Sequence, residues 1–255
     1  SSSLAGAASA EQGASFADRS SEHVLTLLPQ LPGQLPASSA AIAAYLRDTE
    51  GMRIPVPAQV YHKCILIDVR MAGVLAPADA CDLCIKLSSL LLSTPVDFHS
   101  EMTATVGMAT FLGQLFGALR TYGPHPLSYQ LLLNKAERDT SSSVIKALLR
   151  PDTILVANSC TLLVGEDKMA GAMHPAIMYM KRKLDCISPV HYGPLRYIMA
   201  YTAAGHSAQL HSVFAGGQQG SGGSEVTISD ATPEFQLDTH FGRAQLVLAL
   251  AKLYA

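Results

Sequence analysis

The densest chemistry in this chain is Tyr179-Met-Lys-Arg-Lys183, followed by His191, Tyr192, Arg196, Tyr197 and Tyr201. Lysine and arginine contact phosphates, and aromatic faces stack on unpaired bases. Lys181, Arg182 and Lys183 are adjacent, so on a helix they fan around most of its circumference and one always faces a bound strand. Arg196 and Tyr197 open the next element. Lys135, Arg138, Lys146 and Arg150 extend the positive block, while Glu137 and Asp139 weaken it locally. Together these residues are the candidate nucleic-acid contacts. The bland alternative is a solvated helix end, with cations near the negative end of the helix dipole.

The distribution of charge supports the first reading. The 255 residues carry a net charge of −2, but the total hides a pattern. Ser1 to Glu101 is net −4, Met102 to Val213 is net +4, and Phe214 to Ala255 is net −2. Like charges gathered in one region raise a local potential that attracts a polyanion. Charged residues make up only 15% of the chain, against about 25% in an average globular protein. Such a chain solvates a large free surface poorly, which suits a subunit covered by neighbours.

Other motifs point away from catalysis and metals. Cys81-Asp-Leu-Cys84 lacks the second ligand pair of a structural zinc site, and it lies within a helical apolar pattern. His206 and His211 are five apart, which does not place them on one helical face. There is no phosphate loop, dinucleotide fingerprint or nucleophile-elbow spacing. The carboxylate pairs Glu166-Asp167 and Asp79/Asp82 read as surface or cap residues. Triad members need not be adjacent in sequence, so a triad assembled by the fold stays open. The expectation is a protein that is not an enzyme and uses no metal or cofactor. Five cysteines form an odd, sparse set without a disulfide framework, which suits a reducing, cytoplasmic compartment. Ser at position 1 suggests a trimmed or processed chain. Met102–Leu119 carries no charge, but its threonines, glycines and Gln114 read as a buried core helix, not a membrane span.

The elements that must carry these residues read as mainly α-helical. Residues 1–37 form a disordered or extended arm, with Pro29-Gln-Leu-Pro-Gly-Gln-Leu-Pro36 favouring a polyproline-like path. Its leucines suit lying along a neighbour or folding back onto its own core. Residues 38–215 form a compact helical core. Helices are expected from Ser38, from Pro77-Ala-Asp79, from Asp97 to Arg120, and at Leu127–Glu137, Ser142–Leu149, Pro175–Leu184 and Pro194–Ala204. Thr153–Val164 is a short hairpin or a buried helix. Residues 216–224 read as a flexible linker. Residues 225–255 form a C-terminal arm, with a short strand and a terminal helix that docks on its own core or on a neighbour.

Ser1-Ser-Ser, Ala7-Ala-Ser-Ala10 and Ala37-Ser-Ser-Ala-Ala41 carry a Ser/Ala bias. With the enrichment in proline and the cationic middle block, this profile resembles the proline-alanine-serine-rich proteins of polymycoviruses, double-stranded RNA viruses of fungi. The resemblance covers composition along the whole chain. It implies a viral, virion-associated, nucleoprotein-like coat protein that associates with RNA and self-assembles through its arms into homo-oligomers, with no membrane partner. The slightly acidic total departs from a simple RNA-coating profile. The alternative is a non-enzymatic structural subunit of a large protein complex.

Overall fold

The computed structural model describes residues 27–28, 35–93, 100–123, 127–133, 151–157, 160–169, 171, 173–184, 197–215 and 226–255. About 49% of the described residues are helical and 30% are strand, and the strands build a seven-stranded mixed sheet. The mainly α expectation is therefore corrected to α/β.

The first helix, α1 (Ser39–Arg47), starts where Ser38 accepts a hydrogen bond from the Ala41 amide at 3.2 Å. Strand β1 (Ile54–Pro57) then pairs in parallel with β2 (Leu75–Ala78), across α2 (Ala58–Ile67) and a 3₁₀ turn at Val69–Gly73. The helix expected from Pro77 is corrected: Pro77 belongs to β2. Its fixed φ suits the edge of a two-stranded ribbon. Helix α3 begins only at Asp82 and runs to Leu92, with Cys81 as its N-cap.

Helix α4 (Glu101–Tyr122) is set by a capping box. Ser100 Oγ accepts from the Thr103 amide at 3.2 Å, and Thr103 Oγ1 accepts from the Ser100 amide at 3.1 Å. It is long and apolar enough to cross a membrane, yet half of its most apolar window is buried inside the protein. Met108, Leu112, Leu115, Phe116 and Leu119 pack into the main core.

The large sheet has the order β3-β4-β5-β6-β7-β8, with β9 added beside β7. Its strands are β3 (Tyr129–Leu133), β4 (Thr153–Ala157), β5 (Cys160–Lys168), β6 (Tyr197–Ala204), β7 (Ser207–Ala215), β8 (Val226–Asp230) and β9 (Phe235–Gln236). All pairs are antiparallel except β5–β6, which α5 (Met173–Lys183) connects. The helices expected at Leu127–Glu137 and Pro194–Ala204 are thus corrected to β3 and β6, over their described residues. Tyr197–Ala204 is buried almost throughout, so no polar alternation betrays the strand. Its alanines and methionine also favour helix locally, and sheet packing overrides them. Of the two readings left open for Thr153–Val164, the structure takes the antiparallel pair. Residues 134–150 and 216–225 lie outside the described ones, so the helix expected at 142–149 and the linker do too.

Alternate residues of β5 face opposite layers. Leu163 joins the main core with α3, α4 and the terminal helix α6 (His240–Tyr254), while Val164 packs under α5 with Met180, Leu184 and Ile198. Helix α6 docks on its own core and is buried on nearly every side from Gly242 to Lys252. Arg243 within it donates Nε to the Leu91 carbonyl at 2.8 Å, which satisfies the C-terminal end of α3. Leu27 is fully buried in the same core, so this part of the N-terminal arm folds back in cis.

Gly165 is required by packing. A Cβ there would run into the ring of Tyr201, its register partner on β6. Gly165→Ala should cost about 1–3 kcal/mol through overpacking, read by urea denaturation. An unchanged midpoint would contradict this packing.

Candidate functional site

At the end of β5, Glu166 and Asp167 are buried, with 1% and 0% of their surface exposed. The surface or cap reading of this pair is corrected: both carboxyls are deep inside. The period of two then divides them. Glu166 and Lys168 turn toward α5, while Asp167 turns toward α4 and Tyr201.

On the α5 side the charges interlock. Lys183 of α5 forms an ion pair with Glu166 Oε2, and its Nζ lies 3.6 Å from Asp152 Oδ1. Asp152 directly precedes β4. The pairing of β4 with β5 brings it alongside, with the Asp152 amide donating to the Gly165 carbonyl at 2.9 Å. Asp152 Oδ2 in turn accepts from the Asp167 amide at 2.8 Å. Lys168 Nζ is 2.9 Å from Glu166 Oε1 and 3.3 Å from Glu101 Oε1. It also lies 5.0 Å from the ring centroid of Tyr179. Glu101, at the start of α4, is 58% exposed at its side chain, so the cluster reaches solvent along this rim.

The electrostatics follow from depth. Burial, reinforced by Asp152, pushes the Glu166 carboxyl above its usual range, against the pull of Lys183 and Lys168. Burial alone would push the Lys168 ammonium down. The carboxylates of Glu166, Asp152 and Glu101 outweigh that and raise it, so it stays charged. On the other face, burial and the nearby Asp152 push Asp167 up to about 7, against the hydroxyls of Tyr201 and Thr105. The Tyr201 hydroxyl donates to Asp167 Oδ2 at 3.2 Å, while Oδ1 has no partner among the described residues.

A second polar chain lies beside this cluster on β6, β7 and β8. Thr202 Oγ1 is 2.8 Å from His211 Nε2, and His211 Nδ1 is 3.0 Å from Asp230 Oδ1. An ionised carboxylate only accepts, so Nδ1 carries the proton and Nε2 accepts from the Thr202 hydroxyl. Hydroxyl, imidazole and carboxylate stand in the order of a nucleophilic triad. The hydroxyl is nevertheless shut in, because Thr202 and His211 are fully buried and Met173 Sδ packs 3.1 Å from Thr202 Oγ1. Burial lowers the His211 pKa despite Asp230, which keeps the ring neutral. This chain ties three strands together; it does not present a nucleophile.

The candidate nucleic-acid contacts divide sharply. Lys181 and Arg182 are exposed on the last turn of α5. Lys183 is buried and neutralised by Glu166 and Asp152, so it is not free to meet a phosphate. Tyr197 is half-buried and packs on Phe214, with ring centroids 5.3 Å apart. Arg196, Lys135, Arg138, Lys146 and Arg150 lie outside the described residues. Cys81 and Cys84 are buried, with sulfurs 3.2 Å apart, and burial pushes the Cys84 thiol up to about 12, so it is unreactive.

Asp152 and Lys168 are not among the expected site residues, and Glu166 is expected at the surface, because nothing in the local sequence pairs the start of one strand with the end of the next. Their signal is a charge at each end of an apolar β run: Pro151-Asp152 opens one, and Glu166-Asp-Lys168 closes the next. Chemically, a carboxylate just before β4 and another on β5 converge on one cation, with a second ammonium alongside. Among the described residues no group of three or more His, Cys, Asp or Glu side chains is arranged to hold a metal ion. Comparison with protein-family models, curated proteins and solved structures finds no significant match.

Proposed function

We propose that the chain binds nucleic acid and hydrolyses phosphodiester bonds with a divalent cation, at the site formed by Asp152, Glu166 and Lys168. The observation that carries this reading is the convergence of Asp152 and Glu166 on a single positive charge, now Lys183 Nζ, beside Lys168. Magnesium is typically held by one or two carboxylates and completes its shell with water and substrate phosphate oxygens. Two protein carboxylates would serve once the ion has displaced Lys183 from them. When bound, such an ion lowers the pKa of water and polarises the phosphoryl group.

The residues of the chain do the rest. Asp152 and Glu166 would hold the ion. Lys168, held charged by three carboxylates, stabilises negative charge that develops on the phosphate. Lys181 and Arg182 attract the flanking phosphates. Phosphate neutralisation alone needs no buried carboxylates, whose desolvation costs stability. This favours the catalytic reading over a purely coat-like one.

The RNA-associating, self-assembling coat-like protein remains the second reading. It is supported by the exposed apolar run Leu66 (88%), Ile67 (58%) and Val69 (75%), which suits contact with another copy. Incubating the full chain with end-labelled RNA and DNA, single-stranded and duplex, with magnesium or with EDTA, separates the two. Cleavage with magnesium and none with EDTA is expected. Salt-sensitive binding without cleavage returns the coat-like reading. Neither binding nor cleavage rejects both. Lys181→Ala with Arg182→Ala should weaken binding and reduce the salt slope by about one per lost phosphate contact; an unchanged slope would remove these two residues from the interface.

A further inference from the structure

A cavity of about 200 Å³ lies at the opposite end of β5 and β6 from Glu166 and Thr202. Its wall is mostly apolar, with Leu46 of α1, Phe116 of α4, Leu155, Leu163 and Met199 of the sheet, and Leu253 of α6. Among its lining side chains one is charged. Lys252 is only 5% exposed, and it forms no ion pair among the described residues. Its Nζ donates to the Tyr45 carbonyl and lies 4.6 Å from the Tyr45 ring centroid. The Tyr45 hydroxyl donates back to the Lys252 carbonyl at 3.2 Å, which fixes both side chains at the wall.

A lysine in the last turn of a helix ordinarily serves its own C-terminal carbonyls or the helix dipole. Lys252 instead reaches across to α1. A buried ammonium is costly unless paired, and a carbonyl and a ring face supply no opposite charge. Burial pushes the Lys252 pKa down, with distant Asp48 opposing it. The cavity thus combines an apolar chamber with a cation that has no ion-pair partner among the described residues.

We infer that this cavity binds an amphipathic monocarboxylate, with the head on Lys252 and the apolar chain among Leu155, Leu163 and Met199. The carboxylate supplies the anionic partner that Lys252 does not have among the described residues. The chain removes apolar surface from water in a pre-formed pocket. The cavity shares no residue with the Asp152–Glu166–Lys168 site, so the inference goes beyond the proposed hydrolysis and stands without it.

Calorimetric titration of the full chain with decanoate, decanol and decyl phosphate tests it. Decanoate should bind saturably, one molecule per chain. Decanol should bind roughly 10- to 100-fold more weakly, the loss expected for one hydrogen bond to a charged group. Lys252→Met should bring decanoate down to the affinity of decanol. Leu253→Trp, which fills the cavity from a half-buried position, should remove binding of both and serves if Lys252→Met fails to fold. No saturable decanoate binding, equal affinity for decanol or decyl phosphate, or wild-type affinity in either folded variant overturns the inference.

Discussion

Glu166→Gln is expected to lower cation-dependent cleavage roughly 100- to 1,000-fold, the scale for losing one preorganised charge-stabilising group. Glu166 is the only residue paired with both Lys168 and Lys183 among the described residues. Neutralising it weakens the hold on the divalent ion and leaves Lys183 buried, with Asp152 alone at 3.6 Å. Removing one side of a buried ion pair costs about 3–5 kcal/mol. Glutamine keeps one accepting oxygen, which favours the lower end. A stability loss of this size confuses an activity assay, and the double variant resolves it. Adding Lys183→Met deletes the orphaned ammonium and should recover most of the stability. It should not recover cleavage, because the carboxylate is still missing. Chemical denaturation and initial cleavage rates on the single and double variants test both halves. Wild-type cleavage by a folded Glu166→Gln protein would remove this cluster from catalysis.

The second large effect is on stability, and its sign depends on pH. Asp167 titrates at about 7 in the folded protein and about 4 when unfolded. The folded state therefore holds its proton over a range where the unfolded state has released it. Stability falls as pH rises from about 4 to about 7, and the full penalty applies above 7. Three units correspond to about 4 kcal/mol. Asp167→Asn removes the ionisation but keeps an oxygen to accept from Tyr201. It should stabilise the protein by up to about 4 kcal/mol at pH 8 and change little at pH 4. Glu166, whose pKa is raised, and His211, whose pKa is lowered, also tilt the profile. They are present in both proteins, so the difference between wild type and variant reports Asp167 together with its coupling to Glu166. Urea denaturation at several pH values from 4 to 8 measures it. Parallel profiles would show that Asp167 is ionised in the fold and that its buried site is better solvated than its contacts imply.

These two neighbours show why the candidate site was hard to read. On paper Glu166 and Asp167 are an acidic pair, and acidic pairs usually sit in water. Only the strand period separates them, sending Glu166 to two lysines and Asp167 to Tyr201. That period was masked because β5 is buried on both faces from Leu163 to Asp167. The basic run was legible as charge, but not as exposure. Lys181 and Arg182 remain outside, whereas Lys183, next to them, turns inward to Glu166.

What the sequence determined by itself is local. Ser38 caps α1, the uncharged run after Glu101 becomes a core helix, and Pro175 falls in the first turn of a helix ending in three cations. Caps, prolines and apolar spacing act over a few residues, so they can be read without the fold. The tertiary structure alone decided that Tyr197–Ala204 is a strand and that Asp152 meets Glu166. It also decided that Lys252 faces an apolar chamber. Each of these depends on partners far away in sequence. Hydrogen bonding between strands and the cost of burying charge set them, and neither acts until the chain has closed on itself.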